Sequence, residues 1–365
     1  ILNKLFEKIP AGVGSTGFLK LSHNEFKRVV EEGSKWCVDN GYSLDRDLTF
    51  TEEEGCIEGA DSSKISDKVI QRGLNQIGTL GSGNHYLEVQ VVKEENIKDK
   101  EIAKKLGFFP GQIVIMWHCG SRGAGHQIAT DYLMKFLNVM ESKYKIKILD
   151  RELACAPFYS PEGQDYFAAM KCGINMSFAN RQVIGHRVRE VFSQVFKQDA
   201  EKLDMDLVYS IAHNTSKIEK HIVDGKIKKL IVHRKGSTRS FGPGHEDIPK
   251  AHKSIGQVVI IGGSMMTGSY VLVGTEEAMK KTFGSTAHGS GRTMSRNQAK
   301  RMFRGEKVQK EMEKMGILVK SVSMSGLAEE SGPSYKDIDM VVQATELSGI
   351  SKAICKLIPI LNIKG

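Results

Sequence analysis

The sequence has 365 residues and a formal net charge of +9, with 40% hydrophobic and 26% charged residues. That globular composition excludes a disordered chain, and no run nears the ~18 apolar residues of a membrane span. The opening ILNKLFEKIPAGVGSTG lacks the apolar core and cleavage site of a secretory leader. Because the first residue is Ile, a fragment or processed product is expected. Cysteines at 37, 56, 119, 155, 172 and 355 form no CxxC pair, so reduced thiols and a cytoplasmic location are expected.

In chain order, FKRVVEEGSKWCVDN predicts an amphipathic helix over 26–40, and a second is expected over 63–74. GTLGSGNHYLEVQVV is a glycine loop entering an alternating strand. QIVIMW, 112–117, reads as a buried strand that runs into HCGSRGAGHQ and a helix to about Tyr144. Ser160-Pro161 marks a helix start, Ser as N-cap and Pro at the first position, with helical pattern to about Lys197. Strands are expected over 206–212, leading into His213, and over 229–233, leading into RKGSTRSFGPGHEDIP. Two more, 257–261 and 269–275, flank GGSMMTG; TFGSTAHGSGRTMSR is another loop, and PILNIKG is a short apolar end. No regular βαβ period, repeat or linker appears. The expected architecture is a single α+β domain over 1–365, with a mixed β-sheet core and surrounding helices.

Four of eleven histidines, His85, His118, His213 and His288, stand at strand-to-loop junctions beside glycine or small polar residues. Imidazole binds transition metals and can act as a nucleophile at neutral pH, so some of the four are expected to share a site. His126 and His186 fall in helical patterns, and His23, His221 and His252 read as surface residues. The P-loop, a complete GxGxxG, KxDG and HExxH are all absent. Residues 213–240 hold eight Lys/Arg against two acids, a net of +6, which favours phosphate-rich partners. Within that stretch Lys226, Lys228 and Lys229 read as a solvated face. Arg234, Lys235 and Arg239, with Arg122, Arg292 and Arg296, occupy Gly/Ser loops and suit phosphate recognition.

The blocks GTLGSGNHYLEVQ, HCGSRGAGHQIATDYL, AHNTSKIEKH, VHRKGSTRSFGPGH, GGSMMTGSYVLVGT, FGSTAHGSGRTMSR and PILNIKG occur in one order. Together they resemble the RtcB family, GTP-dependent RNA ligases that join 3′-phosphate or 2′,3′-cyclic phosphate ends to 5′-hydroxyl ends in tRNA splicing or RNA repair. The resemblance implies that His288 becomes guanylylated and that His85, His118 and His213 hold two Mn²⁺ ions. It implies guanylate contacts from Asn84, His85, Tyr86, Leu87 and Glu88, from His213 and Asn214, and from Gly262, Gly263, Ser264, Met265 and Ser269. Gly289, Ser290 and Gly291 after the nucleophile, and Lys364 near the end, complete that set. Arg122 and Arg296 are implied contacts for the RNA 3′-phosphate. The implied partners are GTP, RNA ends (tRNA halves or broken RNA) and an activating protein, with no membrane.

The family's Gly-x-Asp-Ile-x-Cys-Gly stretch, whose Asp and Cys are metal ligands, is absent from this sequence. The chain is therefore expected to be N-terminally incomplete and to show little or no ligase activity by itself. Cys119 stands where serine is usual and reads as a small buried residue; Gly262 stands where proline is common. Two alternatives stay open: a metal-dependent RNA-end phosphoesterase, and a non-catalytic RNA-binding subunit.

Overall fold

The computed structural model describes residues 1–365. Its centre is a six-stranded sheet made from β1 (Tyr86–Ile97), β2 (Ile113–His118), β6 (Val258–Gly262), β7 (Ser269–Gly274), β9 (Leu318–Ser321) and β10 (Ser351–Lys364). The order is β2-β1-β10-β7-β6, with β9 on the far half of β10. All pairings are antiparallel except β9–β10, so the sheet is mixed, as expected. The apolar tail PILNIKG is the end of β10, a 14-residue central strand rather than a short appendage.

Two ribbons stand apart from the sheet. β3 (Asn214–Val223) pairs with β4 (Lys226–Lys235), and β5 (Ser237–Arg239) pairs with β8 (Ser285–Ala287). The first ribbon turns at Asp224-Gly225, with positive φ at both (53° and 72°). Asp-Gly is the preferred pair for such a turn.

Three helices carry most of the remaining core: α1 (His23–Glu32), α2 (Arg122–Ser142) and α3 (Pro161–Phe196). The N-cap of α3 forms as expected, Ser160 Oγ accepting the Gly163 N–H at 3.1 Å. The helix continues unbroken for 36 residues to Phe196, with Lys197 as its C-cap. Ile184, Val188 and Val191 join Leu87, Val89, Leu361 and Ile363 in the core under the sheet. Cys172, Met176 and Ala179 join Phe26 and Val29 of α1 and Ile128 and Tyr132 of α2. Each such side chain contributes roughly 1.5–3 kcal/mol by leaving water.

Several expectations change. The helix expected over 26–40 breaks at Gly33 into α1 and a short helix over 34–39. A Cβ at Gly33 would lie 2.2 Å from the Gly55 carbonyl oxygen, so the break lets two backbones meet. Residues 206–212 form no strand, only one isolated bridge between Thr51 and Ser210. Its backbone instead bonds residues 50–52: the Ser210 N–H donates to Phe50 O, and the Ala212 N–H donates to the Glu52 carboxylate. His221 and His252 are buried, 3% and 4% exposed, rather than on the surface. His221 lies against Glu219 and His252 packs against Phe50 and Tyr209.

Candidate active site

Strand ends assemble the site. Tyr86 opens β1 and pairs on one side with His118, the last residue of β2, and on the other with Lys364 of β10. At the same sheet end Gly262 of β6 pairs with Ser269 of β7. His213 immediately precedes β3 and His288 immediately follows β8. The His288 loop is fastened to β6 by two backbone bonds: the Gly262 N–H to His288 O, and the Ser290 N–H to Gly262 O.

The four junction histidines, scattered over some two hundred positions, meet there. His118 and His213 face each other Nε2 to Nε2 at 2.8 Å. The His213 and His288 rings stack, with centroids 4.1 Å apart and planes at 21°. The His118 ring also lies 5.3 Å from that of His85 and 6.1 Å from that of His288. Burial, then mutual repulsion and nearby cations, lowers every one of their pKa values. His85 falls to about 4 and His213 to about 3; His118 and His288 also move down. At neutral pH the four rings are therefore uncharged and offer lone pairs.

His85 Nδ1 lies 2.8 Å from Leu80 O. A carbonyl oxygen cannot donate, so Nδ1 carries the proton and Nε2 keeps its lone pair. Glycine is required nearby: at Gly81 (φ +98°) a Cβ would lie 1.8 Å from Arg122 Nη1 and 2.6 Å from His85 Nδ1. Asn180 of α3, fully buried, holds both histidine loops at once. Its Oδ1 accepts the Gly78 and Thr79 N–H groups, and its Nδ2 donates to Thr79 O and Gly120 O.

The fit to a divalent ion rests on the donors. Two imidazole nitrogens each about 2.1 Å from one ion, at right angles, stand about 3 Å apart; His118 and His213 match that spacing. The buried Nδ1 atoms of His213 and His288 have no hydrogen-bond partner. Yet no three His, Cys, Asp or Glu side chains meet as a group arranged to hold an ion. The His118–His213 pair thus supplies neutral donors for part of an ion's shell. Cys119 adds none: its thiol is buried, faces the Asn180 amide at 3.4 Å and is pushed up to about 11 by burial.

A cavity of about 1180 Å³ opens over the cluster. Asn84, Tyr86, Glu88, Asn214, Gly262, Gly263, Ser264, Met265, Gly289, Ser290, Gly291 and Lys364 line it with the four histidines. Leu87 and Ser269 do not; Leu87 belongs to the core under the sheet, and buried Ser269 lies beside Gln90. Glu88 is buried, and its pKa is pushed up to about 7 by burial, against Lys364 and the Asn362 and Gln90 amides. Arg122 lies on the wall, its Nε donating to Thr79 Oγ1 and one Nη to Gly12 O. Arg296 is half exposed and ion-pairs with Glu329 at 2.8 Å.

Three basic residues expected in loops lie in strands and two of them serve the structure: Arg234 and Lys235 end β4, and Arg239 ends β5. Arg234 and Arg239 are buried against Glu219, and Arg239 also meets Glu52 and Glu53. Residues passed over in the sequence matter here. Glu330, 1% exposed, gathers Lys364, Arg292 and Tyr335, and so braces the cavity wall. Lone Glu and Asn residues gave no local pattern; only a rule that buried polar residues must be partnered would single them out.

The comparison with known families decides the relationship: the family model for tRNA-splicing ligase RtcB matches residues 1–365. The chain belongs to the RtcB family. Among RtcB relatives, the tRNA-splicing ligase RtcB of Pyrococcus horikoshii is 51% identical over 366 residues, covering 100% of this chain and 42% of that protein. The RtcB proteins of Methanococcus maripaludis and Archaeoglobus fulgidus are each 50% identical over 365 residues, covering 100% of this chain and 75% of each. The chain thus spans about two fifths of the length of the Pyrococcus RtcB protein.

Proposed function

We propose that this chain carries the nucleotidyl-transfer and metal-binding centre of an RNA ligase that joins 3′-phosphate or 2′,3′-cyclic phosphate ends to 5′-hydroxyl ends. The observation that carries the reading is the meeting of His85, His118, His213 and His288 at one sheet end. Similarity along the whole of this chain to relatives named tRNA-splicing ligase supports the substrate class, RNA ends such as tRNA halves. No helix is long and apolar enough to cross a membrane.

His288 is the nucleophile in this reading. Burial keeps its ring neutral, so it attacks the α-phosphorus of GTP without first losing a proton; a P–N bond forms and pyrophosphate leaves. Stacking against His213 fixes the ring's plane. The RNA 3′-phosphate, held by Arg122 and Arg296, then takes the guanylate from His288, and the 5′-hydroxyl displaces GMP. His118, His213 and His85 would hold Mn²⁺, which neutralises phosphate charge when bound. His85 is already oriented for that task by Leu80 O. The guanylate pocket comprises Asn84, Tyr86, Glu88, Asn214, residues 262–265, residues 289–291 and Lys364. Leu87 and Ser269 contribute from behind the lining, through backbone and packing.

The test is labelled GTP with Mn²⁺ and the protein that contains this chain. Covalent label should appear on the wild type and vanish in His288→Ala while metal binding persists. Label that survives in His288→Ala, or never forms, overturns the reading. Phosphoesterase activity on cyclic ends without labelling would favour the hydrolytic alternative.

A further inference from the structure

The β3–β4 ribbon has two unlike faces. The inner face carries Lys217, Glu219, His221 and Arg234, all buried and mutually bonded or bonded to Glu52 and Glu53. That face anchors the ribbon. The outer face is built from cross-strand pairs, in order away from the histidines: Asn214–Lys235, Ser216–His233, Ile218–Ile231, Lys220–Lys229 and Ile222–Ile227. Most of it is open to solvent: Ile218, Ile222 and Ile227 are 51%, 74% and 75% exposed, while Ser216 is buried and Ile231 half-buried.

Two features set this face apart from an ordinary solvated one. Lys220 and Lys229 are directly opposed, and like charges in that position destabilise a ribbon. The face holds no carboxylate; only an exposed 3.9 Å contact with Glu246, from another loop, reaches Lys220, and such contacts contribute little. The row is also continuous with the site. Lys235 lines the cavity with His213 and His288, and the next residue, Gly236, lies against the His288 ring.

We propose that the outer face of the β3–β4 ribbon is a track for the phosphodiester backbone of the RNA strand whose end is processed at the histidines, a proposal that rests on the RNA-end reading above. Cations recur along the face, at Lys235 and again at Lys220 and Lys229, with uncharged rungs between. A repeating anionic polymer matches that spacing without any base-specific contact. Six residues at ~3.4 Å each place Lys229 about 20 Å from Lys235. A strand stacked at ~3.4 Å per nucleotide must therefore run about six nucleotides before it reaches the second cationic rung.

The test measures binding of fluorescent RNA bearing a 3′-phosphate, as a trinucleotide and as a dodecanucleotide, across a salt series. Lys220→Gln with Lys229→Gln should weaken the dodecamer about tenfold at 0.15 M salt and flatten its log–log salt slope by about 1.4, at ~0.7 per contact. The trinucleotide should bind unchanged. Lys220→Arg with Lys229→Arg should restore the dodecamer. Lys226→Gln with Lys228→Gln removes equal charge from the reverse face and should change neither RNA. No loss with the first pair, equal loss with both Gln pairs, or equal loss for both lengths overturns the track. If wild-type protein binds neither RNA, the RNA-end reading falls as well; if it binds both equally, only the track falls.

Discussion

Glu52 is the perturbation whose cost can be worked most fully. It is 3% exposed, and residues 53 and 54 behind it adopt left-handed φ of 54° and 52°, a strained turn. The strain delivers Glu52 to two partners: Oε2 accepts the Ala212 N–H at 2.7 Å, and Oε1 accepts Lys217 Nζ at 2.6 Å. Ala212 immediately precedes His213. Burial opposes ionisation of Glu52, but Lys217 and Arg239 hold its carboxyl below the usual range. Glu52→Ala would leave the backbone N–H of buried Ala212 unpaired and Lys217 facing Glu53 alone. Removing one partner of a buried pair costs about 3–5 kcal/mol, and an orphaned N–H costs about 1–3 kcal/mol. Because Glu53 still partners Lys217 at 2.9 Å, the expected total is about 3–5 kcal/mol rather than the sum. Glu52→Gln keeps an acceptor for Ala212 and should cost roughly 1–3 kcal/mol less than Ala. Urea midpoints and m-values give the difference, and hydrogen exchange at the Ala212 amide should accelerate in the Ala variant only. An alanine variant losing under 1 kcal/mol, or equal costs for Ala and Gln, would refute this account.

Asn180→Ala removes five hydrogen bonds to the two histidine loops, the weak one to Cys119 Sγ included, and should destabilise the chain by roughly 3 kcal/mol, read by denaturant titration. Gly81→Ala forces a Cβ toward Arg122 and His85 at φ +98°; a loss of about 1–3 kcal/mol should accompany weaker binding of 3′-phosphate RNA. Glu219 has its carboxyl held down at about 2, burial being outweighed by Arg234 and Arg239. A depressed carboxylate contributes stability above its ordinary pKa of 4.5 and loses it as pH falls toward about 2. Roughly 3 kcal/mol should vanish across that window, and Glu219→Gln should flatten this acid limb.

What could be read from the sequence was local. A glycine loop running into or out of an apolar strand is contiguous in the chain, so GSGNHY, WHCGSRG and TAHGSG each announced a histidine at a strand end. Strand ends gather at a sheet edge, and that geometric fact, rather than any residue pattern, turned four separate signals into one site. What escaped was nonlocal. Glu52 meets Lys217 across 165 positions, and Asn180 meets Gly78 across 102; nothing near either residue in sequence marks it. The arginines show the same limit from the other side. Arg122 and Arg234 both stand next to glycine-rich stretches, yet Arg234 is bound by Glu219, whereas the partners of Arg122 are all neutral: Thr79 Oγ1, Gly12 O and the His85 ring. Whether a buried arginine is left to bind phosphate depends on where the nearest carboxylate folds. For Arg234 that carboxylate is set by the register of β3 against β4, since Glu219 and Arg234 share the ribbon's inner face. Shifting one strand by one residue against the other would put Glu219 and Arg234 on opposite faces and part the pair.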